Sequence, residues 1–193
     1  MRQNPWIEED IALLCLSVEE LERYLISKEL YWPLYTHPSL KLVNPRSRLT
    51  PGNLLLSMRR LSASEIEGEK KALVETKMVE IDQLRSDWKS HWILKAQQEH
   101  NARMDLWHAY LEDLFDDREL YARNYPYSVR WRSILQLLGE EGIEFRESTL
   151  VSLSAMDENL KAVSLPGPFV WGEMIETGFP SSTFWFLYRK ILV

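Results

Sequence analysis

The sequence predicts an all-α fold of six or seven helices around one long central helix at about residues 69–121. Three observations predict it. The 57 residues between Gly68 and Pro126 contain neither glycine nor proline and are rich in residue types that lose little entropy in a helix. Their apolar residues recur at steps of three and four. Elsewhere no alternating pattern of useful length occurs, and residues 143–145 are the single short strand expected.

The central helix carries one apolar stripe, which begins at Val74 and ends at Leu114. Counting His100 as a position of the stripe, eleven steps cover 40 residues, which matches the period of a straight helix. Such a helix extends about 80 Å, so we expect it to protrude or to kink. Residues 69–100 are expected to form an arm or coiled-coil-like extension of a single helical domain spanning residues 1–193. The stripe needs cover from another helix, in this chain or in another.

The helices before the central one are marked by capping residues. Asn4 is followed by proline, and residues 17–20 have the pattern of a capping box, so two short helices are expected before about residue 27. Thr50 is also followed by proline and is expected to begin the next helix.

The helices after the central one carry weaker signals. Apolar spacing predicts a helix over about residues 128–139 and another at about residues 155–163. A short helix is expected to end at Gly178, and a last one is expected to begin at residue 181 or 182.

Composition restricts the class of protein. The 45% hydrophobic content, with eight tryptophans, is sufficient for a packed core. The single cysteine, Cys15, excludes an internal disulfide framework and a site built from several thiolates. Acidic residues stand where a signal peptide carries positive charge, and no apolar run is long enough to span a bilayer. We therefore expect a cytoplasmic protein with no membrane partner and no cofactor.

The charges are unevenly distributed along a chain whose net charge is −6. Two stretches, residues 30–64 and 120–139, contain no acidic residue, and the second interleaves arginine with aromatic residues. Their basic residues, predicted to bind an anion or a partner, are Lys41, Arg46, Arg48, Arg59, Arg60, Arg123, Arg130 and Arg132. This composition is typical of nucleic-acid surfaces and of protein interfaces. Internal pairing with the acidic helices at residues 8–10, 19–22 and 116–119 is a third explanation.

Catalytic signatures are absent from the sequence: it has no nucleophile elbow, phosphate-binding loop, dinucleotide fingerprint or zinc-protease motif. Asp105, His108 and Glu112 share one helical face and include metal-ligand types. We interpret them as a solvated face, because helix surfaces carry acids and histidines at these spacings very often. His100 lies on the apolar stripe and is interpreted as a hydrogen-bonded core histidine. The sequence predicts no catalytic and no metal-binding residue.

Large aromatic residues point to a function in binding. We expect a protein interface at four of them: Trp88, Trp92, Phe184 and Trp185. The function expected is that of a non-catalytic helical adaptor or accessory subunit, which binds another protein or a second copy of itself. The alternatives are a nucleic-acid-associated accessory factor using the arginine-rich surface and a metal-dependent enzyme.

Overall fold

The computed structural model describes residues 5–34 and 48–193 and has the all-α class that the sequence predicts. It is 74% helical, with seven α-helices and two small antiparallel sheets of two strands each in the described ranges. The chain divides into two compact units, Met1–Glu99 and His100–Val193. Of the helices described, none combines the length and the apolar character that crossing a bilayer requires.

The first unit contains three helices, the beginning of a fourth, and a two-stranded ribbon. The elements are α1 (Pro5–Ile26), β1 (Trp32–Pro33), β2 (Arg48–Leu49), α2 (Pro51–Ala63), α3 (Gly68–Asp87) and residues 89–99 of α4 (Lys89–Asp116). Thr50 caps α2 as predicted, because its side chain accepts a hydrogen bond from the Asn53 amide. The predicted cap at Asn4 lies outside the described residues.

Helix α1 corrects the prediction of two short helices before residue 27. Residues 17–20 lie inside a continuous helix, and Ser17 is fully buried. The buried side chains of Leu14, Leu21 and Leu25 keep helical spacing on both sides of it. Burial along one face of α1 therefore outweighs the local capping pattern. That pattern stabilises a helix only where the helix begins at residue 17.

The central segment is helical as predicted but is not one continuous helix. It is interrupted at Trp88, whose backbone angles are φ −108° and ψ 30°. The hydrogen bonds from the Trp88 amide to Leu84 and from the Trp92 amide to Trp88 are nevertheless kept. The helix ends again before Asp117. The Asp117 side chain accepts a hydrogen bond from the Leu120 amide and so caps the start of α5 (Arg118–Tyr121). Aspartate favours such caps over helix interiors.

The apolar stripe of α3 is covered inside the first unit. Val74 and Ile81 of α3 are buried in one cluster with leucines of α1, and α1 also contacts α2. The cover that the sequence requires for residues 74–81 therefore comes from this chain.

The second unit contains the rest of α4, three further helices and the second ribbon. After α5 come a 3₁₀ turn (Ala122–Asn124), α6 (Tyr125–Gly139), α7 (Glu147–Ala162), β3 (Ser164–Pro166), 3₁₀ helices at Glu173–Gly178 and Trp185–Tyr188, and β4 (Arg189–Ile191). Strand β3 pairs with β4 in antiparallel register, Leu165 opposite Lys190. Residues 143–145 form no strand, and α7 begins earlier than the sequence predicts.

The predicted last α-helix, beginning at residue 181 or 182, is wrong. A 3₁₀ helix and strand β4 occupy this part of the chain. Phe184, Phe186 and Leu187 are all fully buried, although they are not spaced along one face of an α-helix. Residues this close in sequence point in different directions on an α-helix, so burying all three favours the tighter, irregular path that ends in a strand.

Candidate functional site

In the described residues of the first unit's acid-free stretch, the predicted basic side chains make contacts within the chain. Lys41 and Arg46 lie outside the described residues, and Arg48 and Arg59 make contacts of their own. Arg60 is bound by Asp10 of α1: its Nε is 2.7 Å from Oδ2 and its Nη2 is 2.5 Å from Oδ1. Asp10 is one of the acidic residues that the sequence offered as internal partners, so Arg60 follows the internal-pairing explanation.

Two buried charged residues of α4 make hydrogen bonds within the first unit. Lys95 donates hydrogen bonds to the carbonyl oxygens of Ser27 and Glu29, just beyond the end of α1, and burial lowers its pKa. Glu99 accepts hydrogen bonds of 2.6 Å from the Thr50 hydroxyl and the Gly52 amide, at the start of α2. Cations suit helix C-termini and anions suit N-termini, so these residues join α4 to two helix ends. Sequence analysis did not identify either residue.

The three predicted arginines of residues 120–139 have different environments. Arg132 makes a bidentate pair with Asp157, with distances of 2.8 and 2.9 Å, and its guanidinium lies 4.4 Å from the Phe186 ring centre. Arg130 lies over the Tyr127 ring at 4.4 Å. Arg123 is exposed. The predicted arginines of this stretch therefore do not converge on one ligand.

A groove of about 450 Å³ lies in the second unit, and we call it the tail groove. Its apolar walls are Tyr125, Pro126, Pro168, Phe169, Val170 and Ile191. Ala122, Arg189 and Lys190 complete the lining, in which no carboxylate takes part. The groove thus joins the start of α6 to the segment after β3 and to strand β4.

Hydrogen bonds and ring contacts fix the walls of the tail groove. The Trp171 indole Nε1 donates to the Pro126 carbonyl at 2.7 Å, which holds the segment after β3 against α6. The Phe169 ring packs on Trp171, at 6.2 Å between ring centres, and on Tyr188, at 5.3 Å. The buried Tyr125 hydroxyl donates to the Phe186 carbonyl, and burial raises its pKa well above the ordinary value.

The Arg189 guanidinium is hydrogen-bonded to neutral oxygen atoms beside the tail groove. Its Nε donates to Ser164 Oγ at 3.0 Å, and its Nη2 donates to the carbonyl oxygens of Ser164 and Lys161. These acceptors are neutral, so they orient the guanidinium without placing a negative charge beside it. Lys190, the next residue, is exposed.

Sequence analysis did not identify Arg189 and Lys190, although the sequence around them has features of a short strand. Residues 187–193 are mostly apolar and β-branched or aromatic, apart from these two cations, as expected of a short strand. The groove itself depends on chain segments about 60 residues apart, which no local pattern brings together.

The four predicted interface residues have different environments. Trp92 is buried in the first unit under the Arg85 guanidinium, and Phe184 is buried in the second. Both are core residues in this conformation and offer no contact surface. Trp88 and Trp185 are half-buried and remain candidates for an interface.

The helical face of Asp105, His108 and Glu112 is exposed, as interpreted from the sequence. His108 Nδ1 lies 3.4 Å from Glu112 Oε2. Within the described ranges, no group of three histidine, cysteine or acidic side chains is arranged to hold a metal ion. His108 and Glu112 do line a second groove of about 550 Å³, together with Asp113 and Asp116.

His100 is a buried histidine with an unusually low pKa. Burial, and then the positive charge of Arg132, lower its pKa to about 4. Its ring lies 4.1 Å from that of Phe145, and its Nδ1 has no hydrogen-bond partner in the described part of the chain, in contrast to the hydrogen-bonded histidine expected. Below about pH 6.5 the His100 ring binds a proton in the unfolded chain but not in the folded one. The free energy of unfolding therefore decreases as the pH falls from 6.5 towards 4.

Comparisons of the chain with known protein families, with curated proteins and with solved structures find no match.

Proposed function

We propose that this protein is a non-catalytic helical adaptor or accessory subunit that holds another protein in its tail groove. The observation that carries the proposal is the groove itself: an apolar recess between α6 and the ribbon, with two cations in its lining and no carboxylate. Concave apolar sites with a few oriented polar groups are typical of binding sites.

The size of the groove supports a peptide segment as its occupant. A volume of about 450 Å³ is sufficient for one or two large side chains of a partner. The half-buried Phe169 ring offers the type of surface on which protein interfaces place their strongest contacts. Trp171 and Pro126 fix the shape of the recess, so little entropy is lost in forming it on binding.

The nucleic-acid alternative receives less support from the same contacts. Its surface requires free arginines, and two of them, Arg60 and Arg132, are engaged by Asp10 and Asp157 in bidentate pairs. Such pairs are oriented inward and leave little charge for a phosphate backbone.

The test is a pull-down with a variant in which the groove is filled. Ala122 is half-buried at the groove, so Ala122→Phe places a ring in the space that a partner would occupy. Ala155→Phe, at an exposed position of α7 outside the groove, is the matched control. Tagged full-length protein is recovered from its own cells, and retained proteins are quantified by mass spectrometry.

We expect a specific protein to be retained by the wild type and by Ala155→Phe, and to be reduced at least tenfold by Ala122→Phe. Circular dichroism must show the same helicity for all three proteins. Equal retention by the folded Ala122→Phe variant, or no protein retained above the tag alone, would refute binding through the groove.

A further inference from the structure

The register of the second ribbon shows which backbone groups of β4 are left unpaired by β3. Hydrogen bonds join the Gly167 amide to the Tyr188 carbonyl and the Leu192 amide to the Val163 carbonyl. In an antiparallel pair the hydrogen-bonded positions alternate, so Lys190 exchanges its backbone bonds with Leu165 opposite. The backbone amides and carbonyls of residues 189 and 191 therefore point away from β3.

Strand β4 is consequently an edge strand beside a groove. Its sheet has two strands in the described part of the chain, so no third strand covers the outer edge of β4. Arg189, Lys190 and Ile191 all line the tail groove. A strand edge of this kind is a template for pairing with an extended segment, and neighbouring pockets select that segment's side chains.

The charges at this edge indicate the chemistry of the segment. The Arg189 guanidinium is hydrogen-bonded to neutral oxygens, and the Lys190 side chain is exposed. No acidic residue lines the groove, although the chain as a whole has a charge of −6. A segment with carboxylates complements this edge, while a basic segment is repelled.

We propose that the partner contributes an extended acidic segment, which adds as a strand to the outer edge of β4 and places an apolar side chain in the tail groove. The inference rests on the proposed function and deepens it, because it specifies the backbone conformation and the charge of the bound segment.

The experiment uses a fluorescein-labelled ten-residue peptide of alternating glutamate and valine, with its lysine–valine counterpart. Binding to the full chain is measured by fluorescence anisotropy. Two further versions of the acidic peptide are N-methylated, one at all glutamates and the other at all valines. Alternate amides of a strand face opposite edges, so one version blocks pairing with β4 and the other leaves it intact, whatever the register.

We expect the acidic peptide to bind at least tenfold more tightly than the lysine peptide. One N-methylated version should lose about tenfold or more in affinity, and the other should retain it. Lys190→Glu should weaken binding about fivefold to tenfold, and Lys89→Glu, an exposed charge reversal in the first unit, should leave it unchanged.

Three outcomes would overturn the inference: equal binding of the acidic and lysine peptides, equal effects of both N-methylated versions, or no binding of the acidic peptide. Displacement of the bound peptide by a ten-residue oligothymidylate that itself binds more tightly would also overturn it, in favour of nucleic acid. If these peptides fail while Ala122→Phe still releases a retained protein, the adaptor proposal stands and only the strand-pairing inference falls.

Discussion

Removal of the Asp10 carboxylate is expected to destabilise the first unit by about 3–5 kcal/mol. Asp10 accepts two hydrogen bonds from Arg60 and one of 2.7 Å from the Ser57 hydroxyl. The side chains of Asp10 and Arg60 are only 5% and 13% exposed, so water compensates little for the loss. At about 1.5 kcal/mol for each bond to a charged group, the three bonds together contribute roughly 4–5 kcal/mol. In Asp10→Ala the guanidinium is left buried without its counter-charge.

The double variant Asp10→Leu/Arg60→Met tests this reasoning directly. Because it removes both charges together, we expect it to cost only about 1–2 kcal/mol, chiefly for the Ser57 hydroxyl that loses its acceptor. Urea unfolding followed by circular dichroism gives the total change. Hydrogen exchange measured on the α1 and α2 amides assigns the change to the first unit, since two compact units can unfold separately.

The control is Glu65→Ala, an exposed acid in the same unit, which should change the free energy of unfolding by less than about 0.5 kcal/mol. A double variant that is as unstable as Asp10→Ala, or less stable, would refute the account. It would show that the charged pair itself supplies the stability, and that the unpaired buried charge is not what destabilises Asp10→Ala.

Three further predictions concern single residues. His100→Leu should remove up to about 3 kcal/mol of the loss in stability between pH 6.5 and pH 4, and an unchanged pH profile would show that His100 does not exclude a proton. Gly167→Ala should destabilise the second unit by about 1 kcal/mol or more in thermal unfolding, because its Cβ would lie 3.1 Å from Lys190 Cβ. Gly139→Ala, at the last residue of α6 and with its nearest contact at 3.9 Å, should instead be neutral or stabilise by up to about 1 kcal/mol. Glu99→Gln should cost about 1–3 kcal/mol in urea unfolding, because two donors lose a charged acceptor, and a cost under about 0.5 kcal/mol would contradict the role assigned to that carboxylate.

The start of α2 and residues 17–20 show where local signals predict a helix start correctly and where they do not. The Thr50 hydroxyl and the Asn53 amide that it caps are three residues apart, so the local sequence is sufficient to predict their hydrogen bond. The capping box at residues 17–20 has an equally local pattern, yet it lies within α1. The difference is that burial of Leu14 and Leu21 against other helices favours continuing the helix.

The last residues of the chain show where local apolar spacing fails to predict the secondary structure. The spacing of Phe184, Leu187 and Ile191 predicts a helix, and all three are buried, but they are buried on a 3₁₀ helix and a strand. Pairing with β3, about 25 residues earlier in the sequence, satisfies the backbone of residues 189–191. A short apolar run is compatible with either conformation until its hydrogen-bond partner is known.

The sequence by itself determined the helical class and the position of most helices, because helix propensity, capping and apolar spacing act over only a few residues. Tertiary structure alone decided that Arg60 belongs to Asp10, that Trp92 and Phe184 are core residues, and that the tail groove joins residues 122–126 to Arg189 and Lys190. The Asp10–Arg60 pair and the tail groove depend on segments 50 or more residues apart. Their free energy is gained only when the packed core brings those segments together.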